Sequence, residues 1–122
     1  MQMKKVRDLR QPETEAAYKK YLAEYKGGCP FCLETAEPRK IVKDYKFWYI
    51  TENIYPYDKV YSISHMLVPR RHLIFLWDLS SEELAEFLEI KKQLAELGYD
   101  EILENLPGIK TQHHFHQHLL AY

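Results

Sequence analysis

The pattern of apolar and polar positions predicts two helices. Apolar residues recur at helical spacing over 12–26, and the Gly27-Gly28 pair that follows is typical of a helix end. A second helix is predicted over 80–97, where Ser80 and Glu83 have the spacing of a capping box and Gly98 closes the segment. Its apolar face is expected to consist of Leu84, Phe87, Leu88, Leu94 and Leu97.

Three other stretches have the composition of β-strands. Segments 47–50 and 63–68 are short and rich in β-forming residues, and a proline-containing turn over 53–58 separates them. A last strand is predicted over 114–121, after a turn at Pro107-Gly108. This set of elements predicts a mainly antiparallel α+β domain.

Composition and charge narrow the class of protein. A chain of 122 residues with 46% hydrophobic and 29% charged residues is typical of one folded domain. Lys and Arg total 17 against 18 Asp and Glu, so the chain lacks the basic excess expected of a protein that binds nucleic acid or an acidic membrane. It also lacks an apolar run of about 18 residues, and its start does not resemble a signal peptide. We therefore expect a soluble, cytoplasmic protein without a membrane or nucleic-acid partner.

Three histidines alternate near the end of the sequence, at His114, His116 and His118. In a strand they leave the same face, about 6.5–7 Å apart. Such a row is costly in a core because each buried ring nitrogen needs a partner. A polar surface strand and an affinity-tag remnant are the alternatives, although a tag would have contiguous histidines. Neutral imidazole can attack phosphorus, and its neighbours can stabilise negative charge on phosphoryl oxygens.

A single Cys-x-x-Cys motif lies at Cys29 and Cys32. It is compatible with half of a metal site, a redox pair or two buried thiols. A redox pair favours the junction of a strand and a helix, whereas this pair follows a Gly-Gly break. A closed zinc site would need two further nitrogen or sulfur ligands.

The histidine run resembles the signature of the histidine triad (HIT) superfamily, His-φ-His-φ-His-φ-φ, where φ is apolar. Phe115, Leu119 and Leu120 take apolar places, and Gln117 departs from the pattern. The resemblance covers about residues 29–120. The sequence Cys-Pro-Phe-Cys is similar to the zinc-binding start of many bacterial members, and 53–57 to the nucleotide-facing turn. Segment 65–72 resembles His-x-Leu-Val-x-Pro-Lys-x-His, one residue shorter before the proline.

This resemblance implies a HIT-like α+β fold: a mainly antiparallel sheet with a long helix packed on it, plus an extra N-terminal helix. Residues 1–28 are then an N-terminal extension and 29–122 the HIT domain. Members with this arrangement are often homodimers through the long helix and a sheet edge, so a two-fold homodimer is also expected. The apolar face of helix 80–97 is explained equally well by packing within one subunit.

The resemblance also implies catalytic roles for the triad of His114, His116 and His118. The middle histidine, His116, would attack the α-phosphorus of a nucleotide conjugate and form a nucleotidyl-histidine intermediate that water hydrolyses. His118 would contact phosphoryl oxygens and help to protonate the leaving group, or it would only orient the strand. The implied substrates are nucleoside phosphoramidates, dinucleoside polyphosphates or other nucleotidyl conjugates.

Zinc is the implied cofactor. In zinc-containing members the two further ligands are the histidine that ends the Pro-Lys-x-His segment and the first triad histidine, which are His72 and His114 here. With Cys29 and Cys32 they fill all four positions, so the resemblance implies a structural zinc without an open coordination place.

Substrate contacts are implied at four positions. Asn53 aligns with the residue that binds ribose hydroxyls, or it is a turn asparagine. Ile54 would line the base pocket, or it belongs to the core. Thr111 and Asn105 would contact phosphate, although the family often has a Gly-rich approach where this chain has 107–111.

Two other functions compete with a hydrolase. A nucleotidyl transferase or phosphorylase of the same superfamily carries glutamine at the third triad position, where this chain has His118. Gln117 cannot substitute, because it faces the other side of the strand. The non-enzymatic alternative is a zinc-stabilised nucleotide-binding module.

His65, on the central strand, would either approach the site or be a structural histidine.

Overall fold

The computed structural model describes residues 8–25, 28–32, 40–106 and 114–122. Within these ranges, five strands and two α-helices follow one another, with a short 3-10 helix at Leu76–Asp78. They are α1 (Pro12–Glu24), β1 (Ile41–Asp44), β2 (Trp48–Glu52), β3 (Ile63–Pro69), α2 (Ser81–Gln93), β4 (Glu101–Leu103) and β5 (Gln117–Ala121). The predicted α+β fold is confirmed. No helix among these residues is long and apolar enough to cross a bilayer.

The strands form one antiparallel sheet in the order β1-β2-β3-β5-β4. The last strand of the chain therefore lies inside the sheet, between β3 and β4. In this register His118 is opposite Met66, and Gln117 is opposite Leu67. Pairing on both sides fixes the direction in which the side chains of β5 point.

The two faces of the sheet have different roles. One face, which we call the helix face, packs against Phe87, Ile90 and Leu94 through Trp48, Ile50, Leu67, Phe115 and Leu119. The opposite face, which we call the triad face, carries a smaller cluster of Phe31, Tyr49, Met66 and Val68. His116 and His118 lie on this second face, because Phe31 stacks on His116 and Met66 is the partner of His118.

Helix α2 begins as the sequence predicts, at a capping box of Ser80 and Glu83. Its regular part is shorter than the predicted 80–97, and Gly98 ends the segment with a φ of 98°. The predicted apolar face was partly wrong: Leu84, Leu88 and Leu97 are 42%, 53% and 41% exposed. The buried stripe is Glu83, Phe87, Ile90 and Leu94. Phe87 and Leu94 were expected in it, whereas Glu83 and Ile90 take the place of the three exposed leucines.

Helix α1 confirms the N-terminal helix predicted over 12–26 but stops at Glu24, before the glycine pair. Tyr25 is already extended, with φ −72° and ψ 125°, and Gly27 lies outside the described residues. Tyr18 and Tyr21 contact the ring of Tyr55, at centroid distances of 5.5 and 5.2 Å. The helix is therefore held against the turn that follows β2.

The strand predicted over 114–121 is confirmed only for its second half. Its partner β3 ends at Pro69, which has no N–H to donate. Residues 114–116 are held differently: Nε2 of His114 donates to the Pro69 carbonyl (2.8 Å), and the Phe115 N–H donates to the Leu73 carbonyl (2.6 Å). The predicted turn at Pro107-Gly108 lies outside the described residues.

Candidate active site and metal centre

Four nitrogen and sulfur donors converge at one end of the triad face. One donor atom from each of Cys29, Cys32, His72 and His114 lies within 4.8 Å of all the others. Cys29 Sγ is 3.3 Å from His114 Nδ1, and Cys32 Sγ is 3.3 Å from His72 Nδ1 and 3.6 Å from His114 Nδ1. The resemblance implied these four residues as ligands, and the fold brings them together although they are separated by up to 85 residues in the chain.

These distances fit a tetrahedral metal. Zinc–sulfur and zinc–nitrogen bonds of about 2.3 and 2.05 Å at a tetrahedral angle put neighbouring S and N donors about 3.5 Å apart. The three sulfur–nitrogen distances, 3.3, 3.3 and 3.6 Å, bracket that value. Two thiolates and two imidazoles are also a donor set that zinc prefers. The cluster is therefore close enough to hold a metal ion and is compatible with zinc.

The surroundings of His114 favour the tautomer and the protonation state of its ring that bind a metal. Its side chain is 1% exposed, and its Nε2 donates to the Pro69 carbonyl, so the lone pair is on Nδ1, the atom nearest to both cysteines. Burial, with the nearby His72, lowers the pKa of His114 to about 4. The neutral imidazole, which is the form that binds metals, is thus the stable form near neutral pH.

The loop between the two cysteines also contacts the triad. The Phe31 ring stacks on His116 with centroids 4.7 Å apart and planes at 27°. Its carbonyl accepts a hydrogen bond from Tyr49 Oη (2.5 Å), which ties the loop to β2. Phe31 is 3% exposed, so one buried side chain links the cysteine loop to the middle histidine.

His116 is held in one tautomer by the backbone. Its Nδ1 donates to the His114 carbonyl (2.9 Å), so its lone pair is on Nε2. The ring lies between Phe31 and His118, whose ring centroid is 5.1 Å away at an angle of 74°. An imidazole fixed in this way beside a second imidazole is an arrangement suited to nucleophilic attack with assistance.

Solved structures that are similar to this one include histidine triad proteins. A HIT family hydrolase from Legionella pneumophila Philadelphia 1 is 26% identical, with a TM-score of 0.53 over 70% of this chain and 82% of its own. A HIT family hydrolase from Clostridium thermocellum is 20% identical, with a TM-score of 0.55 over 70% and 81%. A structure titled Hit Like Protein is 16% identical, with a TM-score of 0.56 over 87% and 97%. The chain is therefore similar in fold to histidine triad proteins, with 26% identity to one HIT family hydrolase. No protein-family model and no curated protein sequence matches it.

Within this site, the third histidine has a partner that the sequence does not single out. Tyr57 lies in the turn after β2, and its Oη is 3.2 Å from His118 Nε2. The two rings are 4.6 Å apart. The turn that resembles the family's nucleotide-facing segment therefore also contacts the triad.

Three of the four candidate substrate residues, Asn53, Ile54 and Asn105, lie within the described part of the chain. The side-chain oxygen of Asn53 accepts the Tyr55 N–H (3.0 Å), which is the turn geometry that the sequence offered as an alternative. Ile54 is 39% exposed, so it does not belong to the core. Asn105 is half-buried after β4, and Thr111 lies outside the described residues.

Segment 65–72 is one residue shorter before Pro69 than the family pattern, and this difference changes which side chain of β3 faces the triad. His65 lies on the helix face, where its Nδ1 is 2.7 Å from Tyr99 Oη, so it is the structural histidine. Burial lowers the pKa of His65. Ser64 takes the triad face instead, and its Oγ accepts the Tyr57 N–H (3.1 Å). Counting back five residues from Pro69, as in the pattern His-x-Leu-Val-x-Pro, identifies Ser64.

Proposed function

We propose that this protein is a hydrolase that transfers a nucleotidyl group to His116 and then to water. The observation that carries the proposal is the hydrogen bond from His116 Nδ1 to the His114 carbonyl, because it keeps the lone pair of the middle histidine on Nε2. The structural neighbours named HIT family hydrolases support a nucleotide hydrolase or nucleotide-binding role at the level of the superfamily.

The proposed reaction has two displacements at phosphorus. In the first, Nε2 of His116 forms a bond to the α-phosphorus while the bond to the leaving group breaks, and the leaving atom takes that electron pair together with a proton from His118. In the second, water attacks the nucleotidyl-histidine, the phosphorus–nitrogen bond breaks, and the nucleoside monophosphate leaves. His116 returns to the neutral state, and His118 regains its proton from the attacking water.

We further propose that Cys29, Cys32, His72 and His114 hold a structural zinc ion. Four protein ligands leave no open position, so the bound metal would cross-link the chain rather than activate water. Because His114 belongs to this set and its carbonyl accepts from His116, the same four residues orient the nucleophile.

Nucleotide recognition is proposed at the turn after β2 and at the segment before β5. The Asn53 amide N–H₂ group would donate to ribose hydroxyls while its oxygen keeps the turn, and the exposed Ile54 would contact the base. Thr111 and Asn105 would contact phosphate. The proposed substrates are those the resemblance implies: nucleoside phosphoramidates, dinucleoside polyphosphates or other nucleotidyl conjugates.

A transferase or phosphorylase is less well supported than a hydrolase. The residue at the third triad position is His118, which lies beside His116. Gln117 lies on the helix face, where its side chain bonds to Lys91 and Glu104, so it cannot take the place of the third triad residue. Water is then the proposed acceptor.

We also propose a two-fold homodimer. Strand β4 is an edge of the sheet, and its Ile102 is 45% exposed. Helix α2 exposes Leu84 and Leu88, which the single subunit does not cover. An exposed apolar helix stripe and an open sheet edge are both features that association of two copies would bury.

The experiment that tests the function is AMP release from adenosine 5′-phosphoramidate. We expect release by the wild type, loss in His116→Ala, and retention in His65→Ala, which removes a histidine from the opposite face. Equal release by the wild type and His116→Ala would discard this nucleophile. Absence of release by the wild type with AMP still bound would favour the nucleotide-binding module.

A further inference from the structure

Tyr57 is the candidate for an additional role in this site. It is 8% exposed and lies in the turn after β2, 61 residues before its partner His118. Its Oη is 3.2 Å from His118 Nε2, and the planes of the two rings meet at 34°. The phenol therefore contacts the histidine to which we assign protonation of the leaving group.

Tyr57 is itself held from two directions. Its backbone N–H donates to Ser64 Oγ (3.1 Å), which ties it to the central strand β3. On its other side, the Arg10 guanidinium lies over its ring at 4.7 Å and donates through Nε to the Tyr55 carbonyl (2.8 Å). The Arg10 side chain is only 12% exposed. A cation that is largely shielded from water is attracted to the ring more strongly than an exposed one would be.

The N-terminal extension supplies this support. Arg10 also lies over the ring of Tyr18 in α1 at 4.0 Å. The N–H of Gln11 and the hydroxyl of Thr14 donate to the Asp58 carboxylate, at 2.8 and 2.6 Å. The hydrogen bonds from Thr14 and Gln11 lower the pKa of Asp58, so the carboxylate is charged near neutral pH. The extension thus clamps the turn that carries Tyr57.

A phenol suits a histidine that changes its protonation state. Because Tyr57 Oη contacts Nε2, the proton that His118 transfers is the one on Nδ1, and the phenol oxygen accepts from the Nε2–H group both of the imidazolium and of the neutral ring that remains. The contact therefore persists before and after His118 gives up its proton.

We propose that Tyr57 is a positioning residue that holds His118 in orientation for proton transfer to the leaving group. This role rests on the proposed hydrolase function. It also gives the N-terminal extension a function, because Arg10 and α1 fix the turn from which Tyr57 reaches the triad. Phe in place of Tyr keeps the ring that packs on His118 and removes only the hydroxyl.

The structure provides a matched control on the other face of the sheet. Tyr99 Oη is 2.7 Å from Nδ1 of His65, so it too is a phenol bonded to a histidine. It lies between sheet and helix, away from the triad. Tyr99→Phe therefore removes the same chemical group from a structural pair.

The test compares two substrates that differ in their need for a proton. An amine leaving from a phosphoramidate must be protonated, whereas 4-nitrophenolate leaves as an anion. For Tyr57→Phe we expect kcat on adenosine 5′-phosphoramidate to fall at least about tenfold with KM nearly unchanged, and kcat on the 4-nitrophenyl ester of AMP to fall less than about twofold. Tyr99→Phe should retain both activities. Equal losses of Tyr57→Phe on both substrates, or no loss on either, would overturn the role.

A double-mutant cycle checks that Tyr57 acts through His118. In a His118→Ala background, Tyr57→Phe should cause no further loss on the phosphoramidate. A further loss of the same size as in the wild type would show that Tyr57 acts independently, and would overturn the proposal.

A spectroscopic measurement separates this proposal from the proposed function. The ¹⁵N NMR resonance of His118 Nε2 should shift in Tyr57→Phe and stay in place in Tyr99→Phe. If the wild type hydrolyses neither substrate, the hydrolase assignment fails, and the NMR result still decides the contact. An unchanged Nε2 resonance would overturn the assigned hydrogen bond, whatever the activity.

Discussion

The carbonyl oxygen of His114 accepts a hydrogen bond from Nδ1 of His116 at 2.9 Å. The side chain of the same His114 faces Cys29 Sγ at 3.3 Å. One residue thus belongs to the metal cluster and also sets the tautomer of the proposed nucleophile. Any change that moves His114 within the cluster should therefore alter the direction of the lone pair on His116.

Zinc content and stability should change together. We expect about one zinc per chain after purification without added metal, and loss of zinc in Cys29→Ser. Because metal binding contributes directly to folding, the melting temperature of this variant should fall by roughly 10 °C or more. Metal analysis and thermal unfolding measure the two effects, and His65→Asn, outside the cluster, should keep its zinc. Substoichiometric zinc with a normally melting Cys29→Ser would contradict the metal site.

Asn53→Ala should discriminate between two sugars. If the Asn53 amide donates to the ribose, the variant should lose about 5-fold to 10-fold in affinity for AMP and clearly less for 2′-deoxy-AMP. Loss of the bond to the Tyr55 N–H affects the turn and would weaken both nucleotides alike. Titration calorimetry with the two nucleotides separates these effects. Equal losses for both would remove Asn53 from the ribose site.

The parts of the site that require fixed residue types could be predicted from the sequence. Alternation of His114, His116 and His118 indicates the candidate triad. The resemblance to zinc-containing histidine triad proteins adds His72 and His114 to the two cysteines, because metals and phosphorus chemistry accept few other side chains. The start of α2 was also predictable, since a capping box is local to Ser80 and Glu83.

Contacts between distant segments could not be predicted in this way. The residues next to Tyr57 in the sequence do not indicate that its hydroxyl reaches His118. The contact depends on the pairing of β3 with β5, because Tyr57 is bonded to Ser64 of β3 and His118 lies in β5. Similarly, α2 has two apolar stripes, and only packing on the sheet decides that Ile90 is buried and Leu88 exposed. The short strands β1 and β4 have mostly exposed residues, so they lack the alternating pattern that would indicate them.

Leu88→Glu should separate two subunits if α2 lies in the dimer interface. Leu88 is 53% exposed in one subunit, so the substitution should leave the fold intact while placing a charge in a buried interface. Sedimentation should then show a wild-type dimer and a monomeric variant. Lys92→Gln, which changes the net charge of the same helix by the same amount, should remain dimeric. A wild-type monomer, or a Leu88→Glu dimer, would exclude this surface.

Glu83→Gln should weaken the fold at neutral pH and much less in acid. The hydrogen bonds of Arg71 to the Glu83 carboxylate hold the pKa of that carboxyl below its usual value, and glutamine keeps the capping box while losing the charge. A lowered folded-state pKa means that the contribution is complete above the unfolded value and disappears as the pH falls through the folded one. Urea unfolding should show a loss of about 1–2 kcal/mol at pH 7 that shrinks at pH 3, and exposed Glu82→Gln should show little effect. The same loss at both pH values would mean that the ion pair is not its cause.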